Sequence, residues 1–215
     1  MKNKKETITP TPPPRSQLLS FFRLALRLKS VKRAGWISKA RISNAESVSD
    51  HTYSMCAMGM VLSALLGLNT ERVAKMILIH DLAESIIGDY MPNEITKRKK
   101  RFVEGKAMHY ILCQLPTTVR SDYEKIWQEY QVNKTSVARF VHNLDKLEMA
   151  IQAIEYINQG FPKKALLQFF ASAKRSLSTQ KIGNEDLYGK DIMLEILRDL
   201  ETNVLGQSGP ADRKL

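Results

Sequence analysis

Apolar residues recur every three or four positions along most of the chain, and no stretch sustains the two-residue alternation of a strand. Positions 18–29 are apolar over a broad face, with Arg23, Arg27 and Lys29 opposite. Within 44–66, Val48, Tyr53, Met55, Met58, Val61, Leu62 and Leu65 fall at helical spacing, and Gly67 follows. Asn69 or Thr70 is placed to cap a helix over 71–87 that Gly88 stops. Pro92-Asn93 opens a loop and then a basic helix to about position 115, and Pro116 begins the next, through Trp127 to Gln131. Thr135 or Ser136 opens a long helix to about Asn158, closed by Gly160 and Pro162; helices over 163–177 and 185–204 complete the set. The pattern predicts an all-α fold, a single helical bundle. Pro10, Pro12, Pro13 and Pro14 block a helix near the start. Positions 1–16 are therefore expected to form a flexible arm, 17–205 the domain and 206–215 a flexible tail.

Composition narrows the function classes. The 215 residues are 43% hydrophobic and 26% charged, which excludes a wholly disordered chain, a collagen-like repeat and a disulfide scaffold. The net charge of +11 invites a polyanionic partner, so its placement matters. Nine basic residues and one acid lie in positions 1–35, which accounts for most of the excess. A second cluster, Lys97, Arg98, Lys99, Lys100 and Arg101, has no interleaved aromatic residue, and no zinc-finger or Gly-rich motif accompanies it. A nucleic-acid partner is not expected. Nor is a membrane, because the apolar face of 18–29 is broad enough to pack on a core and no run of about 18 apolar residues exists. Cys56 and Cys113 sit in apolar patterns, which suits a reducing compartment. The expected location is cytoplasmic or nuclear, with organellar targeting by the basic arm the weaker reading.

Three apolar helices are interrupted by residues that carry chemistry. His51 follows Glu46-Ser47-Val48-Ser49-Asp50. His80-Asp81 follows Met76-Ile77-Leu78-Ile79 directly, with Glu84, Gly88 and Asp89 after it. Asp145 lies within Phe140-Val141-His142-Asn143-Leu144-Asp145-Lys146-Leu147. On a helix, His80 and Asp81 point in neighbouring directions and Glu84 lies one turn on. Buried imidazoles and carboxylates need partners, and a divalent metal satisfies nitrogen and oxygen donors together. A hydrogen-bonded His–Asp pair accounts for one such interruption, not for three. Of the other histidines, His109 is expected at the surface and His142 as a satisfied core residue.

Taken in order, these segments resemble the HD-domain metal phosphohydrolases, whose pattern is a His, then His-Asp, then a distant Asp. They are most similar to the 5′-deoxynucleotidase branch, and Arg33-Ala34-Gly35-Trp36 resembles the segment before its first His. The resemblance spans about 18–156. It implies an HD-domain bundle in which His51, His80, Asp81 and Asp145 hold one divalent cation, Mn2+, Co2+, Mg2+ or Zn2+. It implies Glu84 and Asp89 as catalytic groups that orient water or handle protons. It implies Arg33 and Trp36 as substrate-binding residues, Arg33 at the phosphate. The implied substrate is a deoxynucleoside 5′-monophosphate, hydrolysed to deoxynucleoside and phosphate, and the implied assembly is a homodimer. Two departures stand out. The branch often carries an acidic run where this chain reads Val103-Glu104-Gly105-Lys106-Ala107-Met108, and Ser85 follows Glu84 where guanosine-tetraphosphate hydrolases usually carry Asp. The rival reading is a catalytically inactive HD fold that binds a nucleotide or a partner.

Overall fold

The computed structural model describes residues 15–91, 94–179 and 187–205, and the described residues are helical with no strand among them. The expected tail, Pro92-Asn93 and most of the expected arm lie outside the described residues. In chain order the helices are α1 (Arg15–Arg27), α2 (Ala34–Ala40), α3 (Val48–Leu65), α4 (Thr70–His80), α5 (Glu84–Ile87), α6 (Lys97–Leu112), α7 (Thr117–Val132), α8 (Ser136–Asn158), α9 (Lys163–Thr179) and α10 (Leu187–Leu205). A 3-10 turn, Leu28–Ser30, follows α1.

Polar caps start the helices that position chemistry. Ser47 and Asp50 form a reciprocal capping box at α3. Asn69 accepts from the Arg72 N–H at α4, and Thr135 accepts from the Ala138 N–H at α8. The helix expected over 44–66 begins only at Val48, because the preceding residues run beside the 3-10 exit in an isolated antiparallel bridge between Lys32 and Ser47. The Arg33 N–H donates to the Glu46 carbonyl and the Val48 N–H to the Val31 carbonyl, so the chain before α2 is fixed against the entry to α3.

One expectation fails informatively. The single helix anticipated over 71–87 is broken after His80. In a continuous helix the Ile77 carbonyl would accept from the Asp81 N–H. Here it accepts instead from His80 Nδ1 at 2.6 Å, while the Asp81 N–H turns to the Ile79 carbonyl. A side chain has taken a backbone acceptor, and the helix opens there.

Helix α8 is the axis of the core. Its Ala138, Phe140, Val141, Leu144, Leu147, Ala150 and Ile154 are buried among Val73, Met76 and Ile77 of α4, Met55 and Leu62 of α3, and residues of α9 and α10. Gly59 lets α3 approach closely: a Cβ there would stand 2.5 Å from Ile77 Cδ1 and 3.0 Å from Leu144 Cδ2. A smaller apolar cluster, with Trp36, Ile42, Tyr156 and Leu166, seats α2 against α8 and α9.

Candidate metal centre and substrate pocket

The helix break and the α8 axis bring four of the predicted residues together. His51, the fourth residue of α3, is fully buried, and its ring meets two carboxylates of α8. Asp145 and Glu148 are three residues apart and share a helix face. Glu148 Oε2 accepts from His51 Nδ1 at 2.5 Å, and Asp145 Oδ1 lies 3.4 Å from Nε2. For His80 the tautomer follows from its partner. The Ile77 carbonyl can only accept, so Nδ1 carries a proton and Nε2 is the nitrogen turned to Asp81. Both Nε2 atoms are buried without a hydrogen-bond partner. Asp81 Oδ2 lies 3.1 Å from His80 Nε2, and donor atoms of His51, His80 and Asp81 all lie within 4.8 Å of one another. Two orphaned imidazole nitrogens beside two carboxylates are the donor set of a divalent metal of intermediate softness.

The charges agree. Burial and then Arg33 oppose protonation of His51, yet Asp145 and Glu148 outweigh them and lift its pKa to about 9. Burial also opposes ionisation of Asp81 and Asp145. His80 and Arg33 nevertheless hold Asp81 below the usual carboxylate range, and Lys146, His51 and Arg33 hold Asp145 well below it.

Behind His51, a second group of donors comprises Glu46, His51 and Glu148. Its one imidazole nitrogen already donates to Glu148, and Glu46 Oε1 accepts from Trp36 Nε1 at 2.8 Å. Burial and then Glu148 push Glu46 up to about 7. The Glu148 contact holds the His51 ring in place.

Arg33 caps α2 and places its guanidinium between two acids, Nη1 3.2 Å from Asp81 Oδ2 and Nη2 3.8 Å from Asp145 Oδ1. Desolvation works against its charge, but Asp81, Asp145, Asp89 and Glu84 keep it firmly protonated. Glu84, 2% exposed at the start of α5, is raised well above the ordinary carboxylate range by burial and then by Asp81 and Asp89. Gly88 turns the chain at φ +78°, which favours glycine, and Asp89 Oδ2 then accepts from the Ala34 N–H at 2.8 Å. Asp89 thus ties the Arg33 segment to the His80-Asp81 turn. Trp36 borders the pocket, yet its ring is 2% exposed and packed against Phe169, with centroids 4.4 Å apart, and Tyr156.

Arg33, Trp36, His80, Asp81, Glu84, Asp89 and Asp145 border one cavity of about 570 Å³, whose other walls include Lys100 of α6 and Phe169 of α9. That is room for a ligand much larger than an ion. The sequence reading passed over Glu148, although its spacing from Asp145 was a usable signal. Lys100 and Phe169 reach the site only through packing of α6 and α9, which no linear spacing marks. Tyr130 was missed too; its ring stacks on His142 with centroids 4.1 Å apart, and the Tyr130 carbonyl lies 3.0 Å from His142 Nε2, so His142 is the satisfied histidine that was expected. His109 is exposed, as expected.

The chain is similar to known proteins over most of its length. Residues 25–183 match the HD domain family model. The 5′-deoxynucleotidase HDDC2 of Homo sapiens is 39% identical over 156 residues, covering 72% of this chain and 76% of that protein. The 5′-deoxynucleotidase HDDC2 of Dictyostelium discoideum is 39% identical over 170 residues, covering 74% and 89%. Among solved structures, the PH0347 protein from Pyrococcus horikoshii superposes with a TM-score of 0.69 at 25% identity, covering 85% of this chain and 99% of that one. With its His, His-Asp and Asp gathered around one buried point, the chain belongs to the HD domain family.

Proposed function

We propose that this chain is a divalent-metal-dependent phosphomonoesterase, a 5′-deoxynucleotidase that hydrolyses deoxynucleoside 5′-monophosphates to deoxynucleoside and phosphate. The observation that carries this is His80, Asp81, Asp145 and Arg33 on the wall of one nucleotide-sized cavity, with the buried Nε2 of His51 3.4 Å from Asp145. The choice of a deoxynucleotide is supported by the relatives named 5′-deoxynucleotidase, of which this chain covers three quarters or more.

In this reading His51, His80, Asp81 and Asp145 hold the cation. A bound divalent metal lowers the pKa of water and withdraws charge from phosphoryl oxygens. Nitrogen donors favour Mn2+, Co2+ or Zn2+ over Mg2+. Arg33 offers its planar fork to the phosphate. Glu84, which keeps its proton above the usual carboxylate range, is suited to give it to the leaving 5′ oxygen. Asp89, held by the Ala34 N–H, is suited to orient the attacking water and accept its proton. Trp36 acts by holding Phe169 and the pocket floor in place. The test gives purified protein, loaded with Mn2+ or Co2+, dAMP and dTMP and assays phosphate. Release that disappears in Asp81→Ala supports the reading; release no greater than in that variant refutes it.

The same reading includes a homodimer. Tyr53, Ala57, Met60, Val61, Ala64 and Leu65 form an exposed stripe along α3, which carries no charged side chain after His51. An uncharged helix face of this length suits a second copy of itself, packed about a two-fold axis.

A further inference from the structure

The basic run that opens α6 finds no use in the chemistry above, yet its five residues are not equivalent. Lys97, Arg98, Lys99 and Arg101 are exposed, whereas Lys100 is half-buried and turned toward the cavity. Positive charge at a helix N-terminus opposes the helix dipole, so within α6 only the i+4 partner Glu104 favours drawing Lys100 out of water. Lys100 Nζ stands 3.9 Å from Glu84 Oε1 and 3.5 Å from Glu104 Oε1, at the outer range of an ion pair.

The other cations around the cavity are engaged elsewhere. Lys146 Nζ is 2.7 Å from Asp145 Oδ2, and Lys39 Nζ lies over the Phe169 ring at 5.6 Å. A phosphate monoester brings close to two negative charges toward Asp89, Glu84 and Glu104. In the phosphomonoesterase reading Arg33 and the metal cation meet this charge from the side of α2, α4 and α8, and Lys100 is the cation that faces the cavity from α6. We propose that Lys100 is a second phosphate-binding residue, which together with Arg33 receives the phosphoryl group beside Glu84. A lysine suits this place because its ammonium is a compact charge on a flexible stem that can swing from the carboxylates to an arriving anion. This inference rests on the phosphomonoesterase reading.

The test measures binding of inorganic phosphate and of deoxyadenosine, separately, to Mn2+-loaded wild type, Lys100→Met, Lys100→Arg and, as a surface control from the same run, Lys99→Met. KM and kcat for dAMP are measured alongside. Loss of one charge-assisted contact is expected to weaken phosphate binding about tenfold or more and to raise KM in step. Deoxyadenosine binding is expected to stay within about twofold, Lys100→Arg to recover most of the phosphate affinity and Lys99→Met to match wild type. Equal weakening of phosphate and deoxyadenosine in Lys100→Met would assign Lys100 to the docking of α6 and overturn the proposal, as would unchanged phosphate binding. Failure of the phosphomonoesterase reading shows itself differently: wild type binds phosphate but releases none from dAMP.

Discussion

In the proposed metal centre, Glu148 acts by holding the His51 ring. Its hydrogen bond to His51 Nδ1 fixes the ring's rotation and keeps the other nitrogen aimed at Asp145 and His80. Glu148→Ala removes the acceptor and leaves a buried N–H unpaired. Metal affinity is expected to fall about 10–100-fold, with Glu148→Gln closer to wild type, as read by competition with a chromogenic chelator. Unaltered affinity in Glu148→Ala would show that packing alone orients His51. At this scale much was legible in the sequence. His51, His80, Asp81 and Asp145 interrupt apolar runs, and polar groups in such places must find partners. Trp36 was less legible, because one residue type serves equally to stack on a base or to fill a floor.

Helices were legible as periodicities, and their starts as caps, because both are local. The break after His80 was not legible, since it depends on a histidine reaching the carbonyl three residues back instead of leaving it to the helix ladder. It is nonetheless what lets the Asp81 and Glu84 carboxylates leave the regular helical track. The crossing of α3 with α4 and α8 also depends on one position. Gly59→Val would drive methyl groups into Ile77 and Leu144, and overpacking of this kind costs about 1–3 kcal/mol. Thermal denaturation should show a midpoint lower by several degrees, whereas an unchanged midpoint would mean that the crossing is looser than its distances indicate.

For the molecule as a whole, the excess positive charge proved a poor guide to the site. Much of it lies before α2, and of the later cluster only Lys100 turns inward. The walls of the pocket were out of reach of a linear reading, because α6 and α9 contribute through tertiary packing that no motif marks. The exposed α3 stripe was present in the sequence but not separable from the core stripe of the same helix, which is apolar on both sides. Placing charge in its middle distinguishes the two faces. Val61, 60% exposed, tolerates lysine in a monomer, so Val61→Lys should leave the fold intact by circular dichroism and halve the mass measured by light scattering. A wild type that already runs at 24.5 kDa would remove the homodimer from the reading.

The guanidinium of Arg33 also bears on the order in which the molecule is assembled. Lying between Asp81 and Asp145, it gives the folded chain a counterion of its own, encoded in the polypeptide. The two acids need not repel each other while α4 and α8 close together, and the extensive apolar core around α8 does not depend on an ion to hold it. Folding is therefore expected to precede metallation, and chelator-treated protein is expected to keep its helical circular dichroism.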